Sequence, residues 1–121
     1  MAVVNISAWA KKANLTLDEA ARGITINLFS SIIENTRVDT GRLRGNWQSS
    51  IGSPITSETT RTDKTGTETI RQMQGKVKSG VVNIMTNNLP YAEYWEQQDA
   101  MVAKNMARIE RNIKAEVRKA Q

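Results

Sequence analysis

The sequence of 121 residues contains no cysteine and no histidine. Without cysteine, the chain has no disulfide, no thiolate nucleophile and no zinc–thiolate site, which fits a reducing compartment. Without histidine, it lacks the most common general base near neutral pH and the most common transition-metal ligand. We therefore expect no catalytic residue, no metal and no cofactor, and we interpret the protein as a non-enzyme.

Long apolar runs are also absent. No stretch approaches the ~20 apolar residues that a membrane-spanning helix needs, and the first residues lack the apolar region of a secretory signal. We accordingly expect no membrane partner. A chain of this length has room for one domain over residues 1–121, with a single core.

Positive charge is in moderate excess and is spread along the chain. Seventeen Lys and Arg against twelve Asp and Glu give a net charge of +5, and no third of the sequence forms a basic arm. The densest basic stretch is C-terminal. Its side chains suit either a solvated helix face or a surface near DNA, because phosphate contacts need only spread cations. The candidate DNA-proximal residues are Lys104, Arg108, Arg111, Lys114 and Arg118.

Apolar periodicity predicts two long helices. A capping box at Thr16 to Glu19 starts the first, which should run to about Asn35, and Asp99 is a candidate N-cap for the last. Between them we expect strands near residues 46–51 and 81–86 and a short helix near 67–77. The predicted fold is α+β, with a long N-terminal helix and a C-terminal helix packed on a small antiparallel sheet. The expected core is Leu17, Ile24, Leu28, Ile32, Leu43, Trp47, Ile51, Ile84, Met106, Ile109 and Ile113.

The segment 53–69 differs from the rest in composition. Seven threonines fall within residues 56–69, and no large apolar residue lies between Ile55 and Ile70. Such a stretch cannot bury itself in a core. It is either a mobile loop or an extended, two-stranded arm that turns at residues 63–66, and we expect a protein partner to order it.

Two further groups of residues are candidates for function. Arg42 and Arg44 follow a Gly-flanked turn that lacks the Lys-Ser/Thr ending of a P-loop, so pairing with carboxylates or with another subunit is favoured over nucleotide binding. Tyr91, Tyr94 and Trp95 form either a core corner or a subunit contact. Glu93 and Glu96 share a helical spacing, which suits an acid–base pair in principle but surface charge more simply.

Two segments resemble a known family. Residues 36–47 read TRVDTGRLRGNW, which resembles the T-P-V-D-T-G-R-L-R-x-N-W stretch of the tail-component family of lambdoid, long-tailed bacteriophages. Residues 87–93 read NNLPYAE and resemble that family's N-N-x-P-Y-A-x-x-x-E, with Glu96 closest to its final Glu. Residues 63–66 fit its D-x-(S/T)-G. The chain departs from the family at Arg37, where proline is usual, and in a loop shortened to residues 97–99.

The resemblance implies a structural protein of the phage neck. Such tail-completion proteins form a ring, commonly of six subunits, at the head–tail junction, and DNA passes through the lumen without sequence-specific recognition. The implied partners are further copies of the chain, neighbouring neck and tail-tube proteins, and DNA. The implied location is the virion, with host cytoplasm during assembly. The candidate subunit-interface residues are Arg42, Arg44, Trp47, Tyr91, Glu93, Tyr94 and Glu96. A small basic DNA- or RNA-binding module is the alternative function.

Overall fold

The structure, a computed structural model, describes the backbone of residues 16–120 and the side chains of residues 16–115. The described elements are, in order, α1 (Leu17–Glu34), α2 (Arg42–Gly45), β1 (Trp47–Ile51), α3 (Thr67–Lys76), β2 (Asn83–Asn87), α4 (Ala92–Asp99) and α5 (Met101–Ala120). The predicted α+β class is confirmed. None of the described helices combines the length and apolar character that crossing a bilayer requires.

The first helix starts where the capping box predicts. The Thr16 hydroxyl accepts a hydrogen bond from the Glu19 amide at 3.1 Å, and the Glu19 carboxylate accepts one from the Thr16 amide at 3.4 Å. These two bonds satisfy amides that the first helical turn leaves without partners. Farther along α1, Arg22 donates to the carbonyls of Gln74 and Val77 and so ties the C-terminal end of α3 to α1.

The sheet has two antiparallel strands, and its two faces are covered differently. Trp47 pairs with Asn87 at one end and Ile51 with Asn83 at the other. Trp47 and Ser49 are buried beneath the helices. On the opposite face, the loop after β1 lies across the strands, and its carbonyls accept hydrogen bonds from the side chains of Gln48, Ser50 and Thr86.

The core forms where α1, α3 and the start of α5 meet the helix-covered face of the sheet. Of the expected core residues, Ile32, Leu43, Trp47 and Ile109 are buried, while Ile24, Leu28, Ile84 and Ile113 are half-buried. The main buried cluster also contains residues that the sequence argument omitted: Phe29, Ile33, Met73, Val77, Leu89, Ala92 and Met101.

Three expected core residues are exposed, and their assignment is wrong. Leu17 and Ile51 are end residues of α1 and β1 and lie outside the buried cluster. Met106 lies off the packed stripe of α5, because that stripe runs through Met101, Asn105 and Ile109. Asn105 can occupy a buried position because its amide donates to the Met101 carbonyl at 2.6 Å.

The threonine-rich segment lies along the rest of the chain. It forms no strand, so the two-stranded arm is wrong. Arg61 donates to the carbonyls of Gly45 and Trp47, both at 2.9 Å, and to the side chain of Gln72. The Thr59 amide donates to the Asn46 side chain at 3.0 Å. Polar contacts within the subunit thus replace the apolar burial that this composition cannot provide, while the expected mobility of the segment stays a prediction.

Candidate functional site

The two segments that carry the family resemblance are neighbours in the fold. The Asn87 side-chain amide donates to the Leu43 carbonyl at 2.8 Å, and Asn87 is also the strand partner of Trp47. Gly41 makes the preceding turn possible. Its φ is +90°, and a Cβ there would lie 2.7 Å from the Lys64 backbone nitrogen. These contacts bring residues 36–47 and 87–95 to one end of the sheet.

Trp47 belongs to the core of the fold. It is 6% exposed, and its Nε1 donates to the Thr36 hydroxyl at 2.8 Å. That hydroxyl donates in turn to the Ile32 carbonyl at 2.6 Å. The ring is therefore inaccessible to a neighbour, which corrects its assignment to a subunit interface, whereas its assignment to the core is confirmed.

Arg44 also makes its contacts within the chain. One guanidinium nitrogen donates to the carbonyls of Glu34 and Thr36 at 2.9 and 2.8 Å, and another donates to the Lys64 carbonyl. The end of α1 and the 63–66 turn are thereby held together. A guanidinium committed to three carbonyls is not free to form a bidentate pair with a neighbour's carboxylate, so Arg44 is removed from the candidate contact residues.

Arg42 remains accessible. Its only ion pair in the described chain joins a guanidinium nitrogen to Glu58 at 3.3 Å, and both side chains are more than 40% exposed. A solvent-exposed pair of this kind contributes about 1 kcal/mol or less, so a partner's carboxylate can replace Glu58 at little cost.

A pocket of about 170 Å³ separates the 37–43 turn from α4 and is lined by Arg37, Arg42, Tyr91 and Trp95 among others. The Arg37 guanidinium lies 3.9 Å from the Trp95 ring centre and donates two hydrogen bonds to Asp99, at 3.0 and 2.9 Å. These hydrogen bonds raise the pKa of Arg37 and lower that of the Asp99 carboxyl. Asp99 ends α4 and does not cap α5, so its assignment as an N-cap is wrong.

The cap of α5 is Glu96. Its carboxylate accepts hydrogen bonds from the amides of Val102 and Ala103, at 2.9 and 3.3 Å. A negative group at this position accepts hydrogen bonds from amides that the first helical turn leaves without partners. It also interacts favourably with the positive end of the helix dipole. Glu96 therefore has a role within the fold, and its assignment as an interface residue stays a prediction.

Three of the candidate interface residues lie on α4 and its N-cap: Tyr91 lines the pocket beside the 37–43 turn, whereas Glu93 lines a separate groove beside β2 and α5. Tyr91 is partly exposed, Tyr94 is 53% exposed, and Glu93 is exposed and has no ion pair in the described chain. Tyr94 packs edge-on against Trp95, with ring centres 4.8 Å apart. We call Tyr91, Glu93 and Tyr94 the tyrosine patch.

The candidate DNA-proximal residues lie on α5. Lys104, Arg108 and Arg111 are exposed and follow one another at helical spacing, so they share a face. Lys114 is half-buried and forms an ion pair with Glu110 at 3.2 Å. The side chain of Arg118 falls outside the described residues. The three exposed cations suit non-specific phosphate contact.

Among the carboxylates of the described chain to which the sequence assigned no function, Asp63 accepts the most hydrogen bonds. Its oxygens accept hydrogen bonds from the Gly66 and Thr69 amides, at 3.1 and 2.8 Å, and from the Thr69 hydroxyl at 2.7 Å. Burial raises the pKa of Asp63, but these hydrogen bonds outweigh burial and lower its net pKa below the ordinary value. The spacing Asp-x-x-Gly before a helix was the available signal, since Asp side chains commonly bond to amides ahead of them in turns.

Within the part of the chain that the structure describes, no three Asp or Glu side chains group closely enough to hold a metal ion. Comparisons of the chain with protein-family models, with curated proteins and with solved structures give no match.

Proposed function

We propose that the protein is a structural component of a bacteriophage neck. In this role, copies of the chain form a ring at the head–tail junction that completes the tail and lets DNA pass. The supporting observation is the resemblance of residues 36–47 and 87–96 to the tail-component family, together with the position of both segments at one end of the sheet. That end exposes Arg42 and the tyrosine patch.

A closed ring requires a head-to-tail contact, in which each subunit presents two different surfaces. Arg42, Tyr91, Glu93 and Tyr94 are the candidates for one of them, because they are exposed and combine aromatic and charged groups, as interface centres often do. Six subunits are favoured by the family resemblance. The ring would stack against neighbouring neck and tail-tube proteins in the virion.

The exposed cations of α5 are proposed to face the DNA. Lys104, Arg108 and Arg111 lie within about two turns of helix, a distance that spans a few phosphates of a duplex. No sequence reading is expected from them, because spread cations contact phosphates and not base edges.

A small DNA- or RNA-binding module is the second candidate function. The same exposed cations of α5 and the net charge of +5 favour it. As such a module, the isolated subunit would bind duplex DNA with an affinity that falls steeply with salt.

Light scattering on the purified protein over a concentration series, followed by electron microscopy, tests the neck proposal. We expect rings with a central hole and weak DNA binding by the subunit. A chain that stays monomeric at every concentration, yet binds duplex DNA tightly at low salt, would favour the DNA- or RNA-binding module.

A further inference from the structure

Three exposed apolar residues lie near the end of the sheet opposite the tyrosine patch. They are Ile51, Val81 and Val82, and Val82 is 68% exposed. Lys76 and Lys78 are also exposed, and both line a groove of about 380 Å³ together with Ile51. We call Ile51, Val81, Val82, Lys76 and Lys78 the valine patch.

The strand pairing fixes the positions of the two patches. Ile51 is opposite Asn83, and the Gly52 amide donates to the Val82 carbonyl at 3.0 Å, so the valine patch adjoins the end of β1 and the start of β2. Trp47 and Asn87 form the other end, from which the chain continues to Tyr91 and α4. Because β2 runs from one patch towards the other, the patches lie beyond opposite ends of the sheet.

The two patches complement each other in charge and in apolar character. Lys76, Lys78 and Glu93 form no ion pair within the described chain. Exposed lysines accompany the apolar side chains of the valine patch, whereas the exposed Glu93 belongs to the same short helix as Tyr94. Exposed apolar groups bordered by charge mark protein contact sites, and opposite charges align the partners.

We propose that the valine patch of one copy binds the tyrosine patch of the next. The occupant of the valine patch is therefore a second copy of this chain, and Lys76 and Lys78 face Glu93 across the contact. The inference rests on the proposed ring and names its second surface. Two different patches at opposite ends of a subunit produce a head-to-tail contact, which closes into a ring when the rotation between copies permits it.

The absence of native cysteine permits a direct test. The double variant Val82→Cys/Tyr94→Cys places one thiol in each patch of the full chain, and both parent side chains are exposed. A short bismaleimide should link it into a ladder of dimers, trimers and larger species that stops at the ring size. Each single variant should give at most traces of dimer. The matched control Val82→Cys/Lys104→Cys keeps one thiol in the valine patch and moves the other to α5, so it should give no ladder.

Charge reversal supplies a second measurement. Lys76→Glu/Lys78→Glu should weaken self-association about 100-fold or more, because it places like charges against Glu93. Adding Glu93→Lys should restore much of the loss. The control Lys104→Glu/Arg111→Glu makes the same change in net charge away from both patches and should assemble as the wild type does.

The outcomes separate the inference from the function on which it rests. A wild type that stays monomeric contradicts the ring itself. A wild type that assembles, while the double-cysteine variant gives no ladder, contradicts only the pairing of these patches. Efficient dimers from Val82→Cys alone would show that the valine patch meets its own copy, which also overturns the inference.

Discussion

Replacing Asp63 by asparagine is the most direct test of how the 63–66 turn is held. The substitution keeps the size of the side chain but removes its charge and replaces one acceptor oxygen with an NH2 group. In the wild type, one carboxylate oxygen accepts from the Thr69 amide and hydroxyl, and the other accepts from the Gly66 amide. An asparagine side chain can serve only one of these two sides as an acceptor.

The expected loss is about 2–3 kcal/mol in the free energy of unfolding. A hydrogen bond to a charged group contributes about 1.5–3 kcal/mol, and loss of a helix-capping side chain costs about 1–2 kcal/mol. Thr69 is 1% exposed, so water cannot readily replace the lost acceptor. The loss is a large fraction of the roughly 5–15 kcal/mol that stabilises a typical domain.

Urea unfolding followed by circular dichroism measures the loss, and its pH dependence tests the cause. The native pKa of Asp63 lies below its ordinary value, so its stabilising contribution is present above the ordinary pKa of about 3.9 and is lost as pH falls through the native pKa. The difference between wild type and Asp63→Asn should stay constant from about pH 5 to 7 and shrink below about pH 4.

Asp39→Asn is the matched control. Asp39 is exposed and accepts no side-chain hydrogen bond in the described chain, so its substitution should change stability by about 0.5 kcal/mol or less. If Asp63→Asn falls within that same range, or if its loss does not diminish in acid, the charged carboxylate does not hold the turn.

Three further predictions concern packing, backbone conformation and exchange. Trp47→Ala should cost about 3–5 kcal/mol, measured by urea unfolding, because it removes a buried ring and its hydrogen bond; a midpoint near that of wild type would contradict the burial. Gly41→Ala should destabilise more than Gly52→Ala, since both have positive φ but only the first meets backbone atoms within 3 Å. Equal losses of stability in the two variants would exclude a steric cause at Gly41. Within the segment 53–69, the amides of residues 53–58 have no hydrogen bond in the described chain, so they should exchange quickly in the isolated subunit and more slowly after assembly; equal protection would refute ordering by a partner.

Local sequence patterns predicted the helices and strands well where a capping or turn motif marks the end of the element. The capping box at Thr16 located the start of α1, and the short helix expected at 67–77 matches α3. The second strand was expected at 81–86 but covers Asn83–Asn87, because Val81 and Val82 remain in the turn before it. Valine propensity favours strand but does not decide where pairing begins.

The last helical region shows where periodicity fails. The spacing of Val102, Met106 and Ile109 indicated one apolar stripe, but the packed stripe passes through the polar Asn105. A residue that satisfies its amide within its own helix can be buried without an apolar signal. The expected start of the last helix at Asp99 lies two residues before its actual start at Met101, but α4 was not predicted as a separate helix. Its C-cap is Ala100 with φ 49°, a conformation that alanine rarely adopts.

The candidate site was only partly predictable, because one of its arginine side chains binds backbone carbonyls. The sequence identified Arg42 and Arg44 as a pair of equivalent cations, yet one is exposed and the other binds three carbonyls. Backbone carbonyls carry no residue identity, so a sequence pattern cannot mark them as partners. Which arginine faces outward follows from the packing of the 63–66 turn against α1.

The position of Arg61 has a consequence for the solubility of the subunit. An open strand edge presents unpaired backbone groups to which a strand of another chain can add, and such addition leads to aggregation. The Arg61 guanidinium occupies the carbonyls of Gly45 and Trp47 at the start of β1. A charged side chain at that site withholds those acceptors from an incoming strand.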